Sequence, residues 1–214
     1  MKKSISFIVI LFICYTQIIA QINAITDSGD EVYLFDDGTW RYVDNKLELD
    51  NKIAVNETVF LKSENQSFMV KSSKANLGIW IDPKKWSFNK QSNNPDVEYE
   101  FSLRDEDLYG MLISEKIQIP INSLKKIAYD NAVAAAPDVT IVKEEYRKVN
   151  GLELLMLRME GTIDGIKFAY QGYYYSNESG TIQMVLYTGS NLMDYYSDEV
   201  FAFLNGLSEY EVTD

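Results

Sequence analysis

The sequence predicts an α+β domain, an antiparallel sheet with flanking helices, preceded by a small N-terminal β-hairpin. Apolar and aromatic runs alternate with the turn-forming pairs Asn150-Gly151, Asp164-Gly165 and Ser179-Gly180, and such pairs favour tight hairpins and therefore antiparallel strands. Two segments, about 122–135 and 192–205, carry apolar residues at helical spacing. Hydrophobic residues form 46% of the 214 residues, which is typical of a chain with a full core.

Residues 1–20 have the pattern of a secretory signal peptide. Lys2 and Lys3 precede the apolar run 7–13, and the small residue Ala20 ends the segment. The run is too short for an ordinary transmembrane helix. We expect cleavage after Ala20 and a secreted or periplasmic protein of a bacterial cell. A lipid anchor at Cys14 is the alternative, although Ile13 stands where lipoproteins carry a small residue.

Residues 21–45 are predicted to form a β-hairpin appendage. Strands at 31–35 and 39–43 flank Asp37-Gly38, a pair that favours a hairpin turn. The hairpin carries several aromatic side chains, Trp40 among them, and we expect it to dock on the main domain because exposed apolar patches of that size are rare. Residues 46–57 are polar without periodicity and are interpreted as a linker.

The main domain is predicted to span 58–214 and to begin with strands. Val59–Leu61 and Phe68–Lys71 are interpreted as a hairpin, followed by short strands at 78–81 and 86–88. The segment 97–103 alternates apolar and polar residues, which predicts a strand with one solvated face. After a turn, residues 109–117 are expected to return as its neighbour.

The second half of the domain is predicted as helix, four-strand meander and helix. The first helix covers 122–135 with Asn122 as its cap. The meander strands are expected at 139–149, 152–162, 165–175 and 181–188. A closing helix over 192–205 buries Tyr196, Val200, Phe203 and Leu204, and Gly206 is expected to provide a left-handed cap.

Three segments resemble a known scaffold. Ile81–Trp86 (IDPKKW), Val149–Gly151 (VNG) and Phe203–Leu207 (FLNGL), together with the element order, are similar to the PsbP/Mog-like α/β/α sandwich over about residues 59–209. Members of that group share a scaffold and not a chemistry. The resemblance therefore implies a binding or accessory module and assigns no site residues.

The composition excludes several chemistries. The chain has no His, and its one Cys lies in the predicted signal peptide, so Ser-His-Asp and Cys-His hydrolases, thiol redox enzymes and Cys/His zinc sites are excluded. Glycine-rich phosphate-binding motifs are absent. We therefore predict no catalytic residues, no metal and no cofactor.

The charge of the chain bears on its partners. The formal net charge is −12, and it becomes −14 without residues 1–20, which carry two lysines and no acids. Such a surface repels nucleic acids and anionic lipid headgroups, so we predict no nucleic acid partner and no stable membrane insertion. A basic partner or divalent cations would suit it, although solubility alone also accounts for the charge.

Carboxylates and tyrosines are the two candidate groups of functional residues. Asp105-Glu106-Asp107 on one turn and Glu144-Glu145 on a strand are interpreted as solvated charges. On the strand 165–175, alternation places Tyr170 and Tyr174 on one face and Tyr173 and Tyr175 on the other. Packing is the favoured role of these rings. The residues expected to contact a ligand or partner are Trp80, Tyr173, Tyr175 and Trp40.

The function expected from these observations is that of an exported, non-enzymatic accessory or protein-binding module whose partner is an unknown envelope protein. A carrier of a small apolar or aromatic ligand is the alternative, and it requires an apolar cavity of several hundred cubic ångströms between sheet and helix. A carboxylate-based hydrolase is less favoured, and it requires two acids about 5–10 Å apart in a cleft.

Overall fold

The computed structural model describes residues 21–26, 31–35, 40–42, 53–90 and 94–211. Contacts divide the chain into two units, Met1–Asn45 and Lys46–Asp214. The predicted signal peptide and most of the predicted linker lie outside the described residues.

The described residues of the first unit form a three-stranded antiparallel sheet. Its strands are β1 (Gln21–Ile25), β2 (Glu31–Phe35) and β3 (Trp40–Tyr42). The predicted hairpin is confirmed in the pairing of β2 with β3, although its turn falls outside the described residues. The sequence interpretation missed β1, which pairs with β2, because this short segment has no turn signal before it. Docking of the unit on the main domain stays a prediction.

The second unit is built on a large sheet of eight strands, in the order β4-β10-β11-β12-β13-β9-β8-β7. The strands in chain order are β4 (Ala54–Phe60), β7 (Trp86–Asn89), β8 (Val97–Leu103), β9 (Tyr109–Glu115), β10 (Thr140–Val149), β11 (Leu152–Ile163), β12 (Ile166–Asn177) and β13 (Gly180–Gly189). Every neighbouring pair is antiparallel except β4 and β10, which are parallel.

A small second sheet, in the order β14-β6-β5, consists of β5 (Phe68–Lys71), β6 (Leu77–Ile81) and β14 (Leu207–Glu209). The predicted hairpin of 59–61 with 68–71 is wrong, because β4 pairs with β10 and β5 pairs with β6. The end of the predicted linker, 54–57, lies in β4. Asn150 holds the end of β4 beside the end of β10. Its N–H donates to Phe60 O, and its side-chain oxygen accepts from Lys62 N.

The meander from β10 to β13 is confirmed. Its first two turns have positive φ at both central residues, 48° and 86° at Asn150 and Gly151 and 51° and 80° at Asp164 and Gly165. This geometry matches the twist of the strands that the turns join. At the third turn only Gly180 has positive φ, 146°.

The helices agree with the sequence in position and differ at their ends. Helix α1 (Ile121–Ala135) is preceded by Pro120, and Asn122 does not cap it. The predicted closing helix is two helices, α2 (Ser190–Met193) and α3 (Ser197–Leu204). The chain bends between them, and Tyr196 becomes buried there together with the rest of the predicted stripe.

Gly206 does not form the predicted left-handed cap, since it lacks the positive φ that the cap requires. A glycine is needed here instead because the backbone of β6 approaches this position closely. A Cβ atom at this position would lie 2.1 Å from the backbone oxygen of Trp80, because β6 passes directly beside the end of α3.

The large sheet is covered differently on its two faces. One face packs with α3 and the small sheet, and the other packs with α1 through Leu124 and Ala128. The overall class is α+β, as predicted. None of the helices in the described ranges combines the length and apolar character needed to cross a membrane.

Candidate functional site

The structure gives Tyr173 a structural role. Its side chain is 0% exposed. Its hydroxyl accepts a hydrogen bond from Arg147 Nη1 at 3.0 Å and donates one to Asn205 Oδ1 at 2.8 Å. Burial raises the pKa of this hydroxyl despite the neighbouring Arg147. Tyr173 therefore has no surface to offer a partner, and its hydrogen bonds join β10 and β12 to the end of α3.

The other predicted residues lie in different parts of the chain. Tyr175 is half-buried in β12, and its hydroxyl donates to Glu209 Oε1 at 2.9 Å. Burial and this acidic neighbour raise the pKa of Tyr175 to about 12. Trp80 is half-buried in β6, with Lys62 Nζ 4.8 Å from its ring centroid. Trp40 lies in β3, and its side chain is outside the described part. Contact of these residues with a ligand or partner stays a prediction.

A row of three tyrosines crosses the α1 face of the large sheet. Tyr170 in β12 stands opposite Tyr187 in β13, which stands opposite Tyr109 in β9. The ring centroids are 6.0 Å apart for Tyr170 and Tyr187, and 5.8 Å apart for Tyr187 and Tyr109. We call these three residues the tyrosine row. The sequence interpretation did not find it, because only the register of three strands brings the rings together.

The tyrosine row runs from the covered part of this face to the surface. Tyr170 packs against the buried cluster of Ala136, Val139 and Met159, as do Tyr129 and Ala132 of α1. Tyr187 is half-buried, and Tyr109 at the far end is 40% exposed. Burial raises the pKa of Tyr170 and Tyr187, and the negative charge of Glu100 adds to the rise at Tyr187. These two hydroxyls therefore stay neutral at physiological pH.

Tyr109 also lines a cleft of about 600 Å³ at the end of the sheet where β8 turns into β9. Ser87 and Ser102 line it, with their hydroxyl oxygens 2.9 Å apart. The turn 104–107 and Tyr196 also contribute to its lining. The cleft and the tyrosine row therefore share Tyr109.

Tyrosine hydroxyls hold two of the three carboxylates in this cleft. Tyr196 donates to Glu106 Oε2 at 2.7 Å, and Tyr109 donates to Asp107 Oδ1 at 3.4 Å. Asp105 has a φ of 60°, which produces the sharp turn. All three acidic residues and Arg104 are exposed. With three acids and one arginine, the turn has a formal charge of −2.

The predictions for the carboxylates were half right. Asp105-Glu106-Asp107 is a solvated turn as expected. Glu144 and Glu145 are not solvated charges, because they pair with Lys125 and Arg147, whose side chains are only 8% and 5% exposed. Arg147 also holds the pKa of Glu145 below its usual range, against the effect of burial. These pairs stabilise β10 against α1 and β12.

Glu98 is a buried carboxylate that no sequence motif indicated. It is 8% exposed and accepts hydrogen bonds from the hydroxyls of Ser72 and Ser114 and from both the hydroxyl and the N–H of Ser73. Burial raises its pKa, but these donors outweigh that effect and keep the pKa below its ordinary value. The arrangement joins the loop between β5 and β6 to β8 and β9. In the described ranges no group of three or more acidic side chains is placed to hold a metal ion.

Comparison with known proteins identifies the fold. No family model matches the chain, and no curated protein matches it. The solution structure of cyanobacterial PsbP (CyanoP) from Synechocystis sp. PCC 6803 superposes with a TM-score of 0.50 at 15% identity, over 67% of this chain and 92% of that one. The chain has a PsbP-like fold.

Two further solved structures are similar at lower TM-scores. A protein from Bacteroides thetaiotaomicron VPI-5482 gives 0.46 at 10% identity, over 68% of this chain and 49% of that one. LpqN, involved in cell envelope biogenesis of Mycobacterium tuberculosis, gives a TM-score of 0.41 at 9% identity, over 67% of this chain and 90% of that one.

The segments that carried the resemblance meet at the end of α3 in this PsbP-like domain. Asn150 Nδ2 donates to the backbone oxygens of Asn205 at 2.7 Å and Leu207 at 2.8 Å. Trp86 packs on Phe203 with ring centroids 4.2 Å apart. These contacts bind the meander and the small sheet to α3. The three segments therefore serve the scaffold, and none of them contains a residue of the tyrosine row or of the cleft lining.

Proposed function

We propose that the chain is an exported, non-enzymatic accessory module of the bacterial envelope that binds a protein partner through the tyrosine row and the adjoining cleft. One observation carries the proposal: Tyr109, Tyr187 and Tyr170 stand in register on a sheet face, and the exposed ring of Tyr109 lines the cleft. Tyrosine is enriched at protein interfaces because it offers a large rigid surface with a polar end at low entropic cost.

The alternative of an apolar-ligand carrier has less support. The cleft is lined by Arg104, Asp105, Glu106 and Asp107, whereas carrier pockets are mostly apolar. Between the sheet and α3, the rings of Trp86, Phe101 and Phe203 fill the space, with centroids 4.2 Å and 5.2 Å apart. A ligand there would have to displace core side chains.

The hydrolase alternative also has less support, because of the environment of its acids. The general acid of a glycosidase is kept protonated by an apolar site. The three carboxylates of the cleft are exposed, and two of them accept hydrogen bonds from tyrosine hydroxyls, so the cleft does not offer such an apolar site. These residues suit recognition of a positive group better than proton donation.

Export is part of the same proposal and rests on residues 1–20. We expect mass spectrometry of the protein from its native envelope to find a chain that starts at Gln21. A chain that starts with a lipid-modified Cys14 would contradict this and would attach the module to a membrane.

Photocrosslinking in the native envelope tests the binding surface. Benzoylphenylalanine replaces Tyr109 in one variant and Phe68 in a control variant. Phe68 is 46% exposed, close to the 40% of Tyr109, but lies in the small sheet. We expect a protein adduct of one discrete mass from position 109 and none from position 68. No adduct from position 109, or the same adduct from both positions, would contradict the proposal.

A further inference from the structure

We infer that the partner segment bound by the tyrosine row is basic, with an Arg or Lys side chain lying over the ring of Tyr109 and its cation facing the carboxylates of Asp105 and Asp107. This inference rests on the proposed function and names the chemistry of the partner. It follows from the rings, the cleft and the charge taken together.

The aromatic rings of this domain already show which group they attract. Lys71 Nζ lies 4.5 Å from the ring centroid of Tyr210, and Arg147 Cζ lies 4.2 Å from that of Phe201. Among the residues that the structure describes, no Lys or Arg lies over Tyr109 or Tyr187. A cation over an aromatic face is attracted by the ring quadrupole, and Tyr109, which is 40% exposed, is the ring of the row that a cation can reach from outside.

The cleft beside these rings provides the countercharge. Tyr109 donates to one oxygen of Asp107, and a carboxylate oxygen can accept further hydrogen bonds. Guanidinium groups bind carboxylates in a bidentate manner. Tyr109 and the turn therefore present a ring and carboxylates to the same cleft. An arginine side chain satisfies both groups at once.

The net charge of the chain argues against two other partners for this surface, a second copy of the chain and an acidic segment. A second copy of the chain that starts at Gln21 would bring another −14 charge to an acidic cleft, and like charges placed together across an interface repel each other. An acidic segment would meet the same repulsion. A basic segment gains from the overall field as well as from the local contacts.

NMR titration of the chain from Gln21 with a defined probe tests the inference. The probe is the blocked pentapeptide Gly-Arg-Ser-Arg-Gly, and its matched control carries neutral citrulline at both arginine positions. We expect the arginine peptide to shift the signals of Tyr109, Tyr187 and the amides of residues 105–107. Because cation–π and ion-pair contacts disappear with the charge, the citrulline peptide should bind about 10-fold more weakly.

Two variants separate the cleft from the rest of the acidic surface. Asp105→Asn combined with Asp107→Asn should weaken arginine-peptide binding about 10-fold, and asparagine tolerates the positive φ at position 105. Glu153→Gln removes a carboxylate that is 77% exposed in β11, and it should leave binding unchanged.

Equal binding of the arginine and citrulline peptides at the tyrosine row would overturn the inference and leave the proposed function standing. Equal loss of binding in the Glu153→Gln variant, or no shift at the tyrosine row with the arginine peptide, would also overturn it. Failure of the crosslinking experiment at position 109 would instead remove the proposed function itself, so the two failures are distinguishable.

Discussion

The two faces of the eight-stranded sheet use the same residue type in opposite ways. On the face toward α3, Tyr173 is completely buried and both of its hydrogen bonds go to side chains of the domain. On the other face, beyond the residues that α1 covers, Tyr109 is exposed and lines a cleft. The difference lies in what packs above each strand. It shows that a tyrosine-rich sheet can contain both a core and a contact surface.

Removal of Arg147 should produce the largest loss of stability. This side chain pairs with Glu145 and donates to Tyr173 while almost fully buried, so Arg147→Ala leaves the partly buried carboxylate of Glu145 with only the exposed Lys143, 4.0 Å away, as its cation. Breaking a buried pair costs about 3 kcal/mol or more, and we expect chemical denaturation to show a loss of that order.

Lys148→Ala is the matched control on the same strand. Lys148 is 44% exposed and its contact with Glu153 is 3.6 Å, so the free energy of unfolding should change by less than about 0.5 kcal/mol. Equal losses in the two variants would contradict the structural role of the Arg147 network.

Gly206→Ala should be the next most damaging change. The new methyl group would lie 2.1 Å from Trp80 O and 3.0 Å from Phe203 O, so α3 and β6 must move apart. Overpacking of this kind costs about 1–3 kcal/mol. Gly189→Ala meets only the side-chain oxygen of Asn191, at 3.0 Å, and should lower the thermal midpoint less. The opposite order would contradict the close approach of β6 to α3.

Glu98→Gln should cost less and should depend on pH. Because the folded-state pKa of Glu98 lies below its ordinary value, the carboxylate contributes stability above the unfolded-state pKa of about 4.3 and loses it as pH falls through the folded-state value. We expect a loss of about 1 kcal/mol at pH 7 that shrinks towards acid pH in urea denaturation. A loss that is the same at pH 7 and pH 3 would show that charge is not involved.

Tyr109→Ala should have the smallest effect on stability. The ring is exposed and contributes one long hydrogen bond of 3.4 Å, so the free energy of unfolding should fall by less than about 1 kcal/mol. Binding of the arginine peptide should nevertheless be lost in NMR titration. Tyr173→Phe should show the reverse, with lower stability and unchanged binding.

The sequence predicted the features that depend on neighbouring residues. Asn150-Gly151 and Asp164-Gly165 specify their own turns, so the meander could be predicted. The pairing of β4 with β10 could not be predicted, because the partner of Phe60 is Val149, which is far along the chain. The break between α2 and α3 follows from the burial of Tyr196, a tertiary effect that helical periodicity does not contain.

The candidate site could not be predicted from the sequence for a similar reason. Tyr109, Tyr187 and Tyr170 belong to three strands, and although a turn joins β12 to β13, the strands β13 and β9 are separated in the chain by α1 and three further strands. Trp80 and Tyr173 were chosen because they are large and aromatic, which is equally true of core residues. Glu144 and Glu145 looked solvated because their partners, Lys125 in α1 and Arg147, are known only once β10 is placed.

Hydroxyl-radical footprinting tests most directly whether the two faces differ in this way. The purified chain and the protein in its native envelope are oxidised side by side, and the modification of each aromatic residue is compared. Phe68 and Phe88, which are 46% and 43% exposed, are the controls for Tyr109 at 40%. We predict that Tyr109 is protected in the envelope while Phe68 and Phe88 are oxidised equally in both samples. Unchanged oxidation of Tyr109, or protection of Phe68 and Phe88 instead, would contradict the assignment of the tyrosine row as the contact surface.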